Sequence, residues 1–376
     1  MGSIDIRKVE NSQSPLCRDF IKMPFVLYRH DPNWVPWFDK DIIAFIDRRH
    51  PIFEHSTGEF FVALKGQQAV GRIFVFENAR YNQTHSMNSA YFYFTDFIDD
   101  GQVVEKLLQI AIDWAKARNL DHLMGPMGLG GVTGVGLLVA GFDHRAAMTM
   151  MMYNHAYYAQ RFEEFGFTKL IDNFSFYLPT TATLPDIIAQ SAADILNKGE
   201  CRVEKFKSKQ QLLEIAGDIV SVFAQTLRDH VGNYELSPNE LSFLKNSLVQ
   251  IADPRLIKII TYKDKVIGFL FGFHDLSAAM QRAGGKLNLW SSFRLLREYK
   301  KTDRILINGL GILPDFQGTG ANTLLYAEIE KTIRQYTQFK HLEMVQIQET
   351  TAKMLSNVDT LQGKIYKTHR VYQYPF

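Results

Sequence analysis

Two stretches of the chain share one pattern of apolar and polar positions. The first runs Phe60–Leu64, a polar turn at Lys65–Gln68, then Val70–Phe76; the second runs Leu256–Tyr262, a turn at Lys263–Lys265, then Val266–Phe273. β-Branched and aromatic runs around a short polar turn predict a β-hairpin in each. Each hairpin leads to a third apolar run, Ala90–Phe94 or Ile305–Leu310, and then to a helical period. Val104, Leu107, Leu108, Ala111, Trp114 and Ala115 recur at helical spacing in the first half; Leu325, Ile329, Ile333 and Tyr336 form one stripe in the second. A further strand (His122–Met124; Leu342–Ile347), a short helical stretch (Tyr157–Phe165; Ala352–Leu355) and a closing strand (Phe174–Leu178; His369–Tyr374) complete each half. The order β-β-β-α-β-α-β thus occurs twice, which predicts an α+β fold layered α/β/α. The turn at Pro179-Thr180-Thr181 and the helical run Leu184–Leu196 mark the joint, dividing the chain into residues 1–195 and 196–376.

The sharpest chemical signal is Ile312-Leu313-Pro314-Asp315-Phe316-Gln317-Gly318-Thr319-Gly320-Ala321, after a strand and before a helix. Backbone amides at such a helix start lack intrahelical acceptors, and the helix dipole adds positive potential, so the turn suits an anion. Glycines let a pyrophosphate approach the backbone. No lysine follows them as in an NTPase P-loop, and the spacing fails the dinucleotide-binding GxGxxG pattern.

Gln317, Gly318 and Gly320 resemble the acyl-CoA pyrophosphate loop of the GNAT acyltransferase superfamily, Gln/Arg-x-x-Gly-x-Gly/Ala. Asn322 stands where that family has Gly or Ala. Asp31-Pro32-Asn33-Trp34-Val35-Pro36, Leu137-Leu138-Val139 before Gly141-Phe142-Asp143, and Tyr153-Asn154 before Tyr157-Tyr158 are similar to a bacterial group of double GNAT-like proteins. The resemblance implies two tandem GNAT-like domains, each a mixed, mostly antiparallel sheet flanked by helices. It implies that amides of Gln317, Gly318, Thr319, Gly320 and Ala321 hold the pyrophosphate of acetyl-CoA or another acyl-CoA. The backbone near Ile312 and Leu313 would pair with the pantetheine like an added strand.

The first half lacks the loop. Asp96, Asp99 and Asp100 occupy the matching region and would repel a pyrophosphate. Its own glycine-rich stretch, Gly125–Gly136, opens no helix; it reads either as a wall or lid of an acceptor pocket or as a surface loop.

Acyl transfer to an amine needs a proton acceptor, a proton donor for the thiolate and a donor for the oxyanion. The tyrosine that many GNAT enzymes place four residues before a Gly-Phe pair is absent: the matching residues are Phe162 and Asp359. Glu349 is the catalytic candidate with Asn308; Glu343, Gln346, Gln348 and His155 are further polar groups near the predicted strand ends. Tyr366 and Tyr372 read as core residues. Two functions stay open: an N-acyltransferase for an amine held between the halves, with acetyl or with a long acyl chain and a lipid-like amine, or a non-catalytic acyl-CoA sensor.

Composition changes this picture little. The 376 residues are 46% hydrophobic and 22% charged, with a net charge of +2, which argues against a nucleic-acid partner. Cys17 and Cys201 lie far apart, with no disulfide framework or metal spacing. The N-terminal MGSIDIRKVE has no signal-peptide core and no run spans a bilayer, so a cytoplasmic protein is expected. One insert belongs to the second half alone, Leu276–Arg304. Arg282, Lys286, Arg294, Arg297, Lys300, Lys301 and Arg304 there face only Glu298 and Asp303, interleaved with Trp290, Phe293, Leu295 and Leu296. It reads as an ordinary helix solvated outside and packed inside, or as a basic amphipathic segment for an anionic membrane or nucleotide phosphate.

Overall fold

The computed structural model describes all residues except 1, 2, 131, 132, 182 and 229. Gly131 and Val132 of the glycine-rich stretch therefore lie outside the described residues. The first half consists of β1 (Ile4–Val9), α1 (Pro15–Leu27), α2 (Asp39–Ile46), β2 (Ser56–Lys65), β3 (Gln68–Asn78), α3 (Ala79–His85), β4 (Ser89–Phe97), α4 (Gly101–Lys116), β5 (His122–Gly125), β6 (Leu137–Ala140), α5 (Tyr157–Phe165) and β7 (Thr168–Pro179). The linking helix α6 (Asp186–Asn197) follows, then β8 (Cys201–Glu204), α7 (Lys209–Glu214), α8 (Ala216–Leu227), α9 (Pro238–Ile251), β9 (Ile257–Tyr262) and β10 (Lys265–His274). The chain ends with α10 (Ser277–Ala283), α11 (Leu289–Lys301), β11 (Arg304–Ile312), α12 (Ala321–Gln335), β12 (His341–Gln348), α13 (Ala352–Thr360) and β13 (Lys364–Pro375).

The strands are apolar on both faces because helices cover both. On one side, Phe61, Ala63, Ile73, Val75 and Phe92 pack with Val103, Val104, Leu107 and Leu108 of α4. On the other, Phe60, Val62, Leu64, Phe74 and Phe76 pack with Phe20 and Ile21 of α1 and Phe45 of α2. Alternate residues of one strand thus enter two cores, as period-two geometry requires. Much of the aromatic content is consumed here: Phe60, Phe74 and Phe76 stack at 4.1 and 4.6 Å between centroids.

The strands form one sheet in the order β1-β2-β3-β4-β5-β13-β7-β12-β11-β10-β9-β8, with β6 beside β13. Closing strands that served their own halves would put β7 beside β5 and β13 beside β12. Instead β13 pairs with β5 (Tyr372↔Gly125) and β7 pairs with β12 (Phe176↔Met344). The two exchanged strands also pair with each other, antiparallel (Val371↔Ile171). Each half therefore completes the other's sheet. The helical joint at α6 falls within a residue or two of the expected run, while β1 and β8 at the two sheet edges were not anticipated.

Candidate functional site

In the second half, β11 and β12 run parallel only from Arg304↔His341 to Ile307↔Met344. Beyond that point they part. β11 stays on β10 as far as Ile312, opposite Gly268. β12 stays on β7, with a bulge between Met344 and Ile347 where Gln346 adopts φ +59°. The strands splay around a cleft of about 1060 Å³. Asn308–Ile312 line one side of it and Met344–Gln348 the other. Among the described residues, no strand pairs with the β12-facing edge of Gly309–Gly311, which leaves room for an extended ligand beside it.

The glycine turn closes one end of this cleft. Ile312, Gln317, Gly318 and Gly320 line it, while Leu313, Thr319 and Ala321 do not. Gln317 donates from Nε2 to the Ile312 carbonyl at 3.2 Å and ties the turn to β11. The Leu313 amide is already bound to Ile267 O at 2.8 Å, so the free strand edge lies just before the expected Ile312–Leu313. Gly320 sits at φ +86° as the N-cap of α12, and no side chain caps that helix. A Cβ on Gly320 would lie 2.9 Å from Ser191 Oγ on α6, whereas one on Gly318 would meet open space.

The corresponding place in the first half is filled. The carboxylate of Asp100 caps α4 by accepting from Gln102 N at 3.0 Å, and Lys65 Nζ lies 3.2 Å from its other oxygen. Arg161 Nε donates to Asp99 at 2.8 Å. Asp96 is buried against Arg72 (Nε–Oδ2 2.7 Å) and the Tyr28 hydroxyl. The space between β4 and β5 shrinks to a pocket of about 50 Å³ plugged by Trp34, Trp37, Phe94 and Tyr153. The segments Asp31–Pro36, Leu137–Asp143 and Tyr153-Asn154 are tied together around this plug: Asn33 Nδ2 donates to Phe142 O at 3.0 Å, and Leu138 N donates to Asn154 Oδ1 at 2.7 Å.

The first half nevertheless reaches the second half's cleft, through Thr133, Val135 and Asn173. The described part of the glycine-rich stretch is mostly buried, not a surface loop. Its glycines permit close packing: a Cβ on Gly134 would lie 2.4 Å from Met150 O. Asn173 is fully buried on β7, and its side-chain oxygen and nitrogen have no hydrogen-bond partner among the described residues.

The catalytic candidates separate. Asn308 lines the cleft and accepts from Gln346 Nε2 at 3.2 Å. Glu349 does not line it; its carboxylate takes Lys169 Nζ at 2.6 Å and Asp172 N at 3.1 Å, a clasp between β12 and β7. Glu343 is buried against Arg304 Nη1 at 2.8 Å and the Tyr366 hydroxyl, whose pKa burial drives far up. The Tyr372 hydroxyl donates to Glu163 at 2.9 Å, and His155 packs on Tyr28 at 4.7 Å between centroids. Neither faces the cleft. On α13 the cleft meets Ala352, Lys353, Met354, Ser356 and Asn357, not Asp359.

His230 also lines the cleft, and nothing in its local sequence marks it. It follows α8 in a loop that Gln348 holds from both directions: Nε2 donates to Val231 O at 2.6 Å, and Oε1 accepts from Val231 N at 3.3 Å. The loop has no periodicity, and only the fold brings it to the cleft.

No protein-family model matches the chain. A Caulobacter vibrioides protein named bacterial ceramide synthase is 28% identical over 372 residues, covering 94% of this chain and 93% of its own. Protein YghO of Escherichia coli K12 is 24% identical over 365 residues, covering 94% and 91%. Among solved structures, a tandem GNAT protein from the clavulanic acid biosynthesis pathway matches 99% of this chain and 98% of its own, with a TM-score of 0.57 at 9% identity. No helix among the described residues is long and apolar enough to cross a membrane. The splayed parallel pair, the sheet order of each half and this overall match give the chain the fold of a tandem GNAT protein.

Proposed function

We propose that the chain is an acyl-CoA-dependent N-acyltransferase built from two GNAT-like domains, residues 1–195 and 196–376, with the thioester bound by the second. One observation carries the reading: a single large cleft joins an uncapped helix start, the Gly309–Gly311 edge that no described strand pairs with, and a wall from the other half. The amides at the start of α12, by Gly318 and Gly320, take the pyrophosphate. The Gly309–Gly311 edge takes the pantetheine amides. The acceptor amine enters from the side of Thr133, Val135 and Asn173. Asn308 and Gln346 orient the reacting carbonyl, and His230 accepts the proton of the amine.

A long-chain version is favoured by the 28% identity to a protein named for ceramide synthesis, since ceramide is the amide of a fatty acid with a long-chain amino alcohol. The cleft wall fits it: Phe223, Leu227, Leu310, Phe316, Met344 and Ile347 are apolar. The test is mass spectrometry of products from acetyl-, octanoyl- and palmitoyl-CoA, each offered with sphinganine and with a short primary amine. The proposal expects amide product and free thiol in equal amounts, greatest for palmitoyl-CoA with sphinganine. Coenzyme A binding without product from any pair would make the chain a sensor.

A further inference from the structure

We propose that helix α11 is a docking surface for an anionic lipid membrane. Its amphipathicity is turned inside out. The inward face carries the buried Ser291 and the half-buried Leu295 and Tyr299, while Leu289, Trp290, Phe293 and Leu296 are 90%, 76%, 61% and 65% exposed. At helical spacing these four side chains share one outward arc. A water-soluble helix places such residues inward; an exposed contiguous apolar patch marks an interaction surface.

The charges identify the partner. Lys286, Arg294, Arg297, Lys300 and Lys301 are exposed within or beside this arc. Glu298, the only carboxylate of α11, is taken up by Arg282 on α10. Trp and Phe buried at the headgroup level, with cations reaching lipid phosphates, is the arrangement of an interfacial helix. A second copy of the chain fits less well, because a two-fold contact through α11 would bring the same cations face to face.

The helix is held for this purpose. Asn288 and Ser291 form a capping box at its start. Gln281 Nε2 on α10 donates to Pro32 O at 2.7 Å and to Trp34 O at 2.9 Å, and Asp39 N donates to Gly285 O at 2.7 Å. The α10–α11 unit is thus braced on the first half, with its apolar arc outward. This inference is independent of the acyl-transfer reading, because no residue of α11 lines the cleft.

The test uses the full chain with vesicles of phosphatidylcholine and phosphatidylglycerol in equal parts, against phosphatidylcholine alone. At about 0.05 M salt, where the Debye length exceeds ~10 Å, the protein should co-sediment with the mixed vesicles and only weakly with the neutral ones. The double substitution Trp290→Ser, Phe293→Ser should lower partitioning at least ~10-fold while coenzyme A binding and the circular dichroism spectrum stay unchanged. Binding should fall several-fold at about 0.5 M salt. No pelleting at low salt, or undiminished pelleting by the double variant, would overturn the proposal. So would a dimer in light scattering that the double variant dissociates, which would make the occupant a second copy.

Discussion

A chain cut after Gly363 should lose the packing of its first half as well as its second. The cut removes β13, which lies between β5 and β7. Tyr372 is fully buried in the core that contains α4, and Val371 in the core that contains α1. Arg370 pairs with Asp172 of β7 at 2.8 and 3.1 Å. Deleting one large buried side chain costs about 2–5 kcal/mol, and a typical domain has only about 5–15 kcal/mol in all. Losing Val371, Tyr372 and the ladder to β5 together should exceed that margin. Hydrogen exchange is the measurement: amides of β4, α4 and β5 should exchange rapidly in the shortened chain. Retained protection there would mean that the first half closes its own sheet.

Replacing His230 with alanine should lower kcat by roughly 10²–10⁴ while coenzyme A affinity stays the same. The described residues lining the cleft include no aspartate, glutamate or tyrosine, and Glu349 is clasped by Lys169 and the Asp172 amide. Among the described lining residues His230 is the side chain of a type that serves as a general base, and Gln348 fixes its loop. Gln348→Ala should act through His230, lowering kcat less than His230→Ala and leaving KM for the acyl donor unchanged. A kcat within about threefold of wild type for His230→Ala would remove it from the proton path.

Much of this was legible in the sequence, for definite reasons. Hairpins, the α4 stripe and the α12 stripe follow from apolar period, a local property. The glycine turn at the start of α12 was legible because a run such as Gln317–Ala321 between a strand and a helix calls for left-handed backbone, and Gly318 and Gly320 adopt it. The exchange of β7 and β13 was not. Both strands show the same alternation whichever sheet receives them, and pairing partners are set by tertiary packing. Glu349 was misleading for a related reason. Its place after β12 suggested the cleft, but the bulge at Gln346 and the register with β7 turn its carboxylate toward Lys169. In the sequence Asp96, Asp99 and Asp100 look like a barrier to a phosphate ligand. The structure gives them internal partners, with Asp100 already acting as the helix-start anion. His230 lies on a loop without pattern, and only the fold brings it to β11 and β12.

The central claim is one acyl-CoA site per chain, at the glycine turn of the second half. Isothermal titration of the full chain with coenzyme A tests it most directly. Gly318 is the position to vary, since it has φ +79° and open space around it, whereas a side chain on Gly320 would strike α6. Asn and Asp both tolerate a left-handed backbone, so the pair Gly318→Asn and Gly318→Asp isolates charge. Two like charges ~6 Å apart repel by about 3 kcal/mol at an effective dielectric of 20, and exposure of the turn reduces that to a loss of roughly 10-fold or more. The account predicts one site in the wild-type chain, little change in Gly318→Asn and at least ~10-fold weaker binding in Gly318→Asp. Two sites of similar affinity, or equal affinity in the two variants, would contradict it.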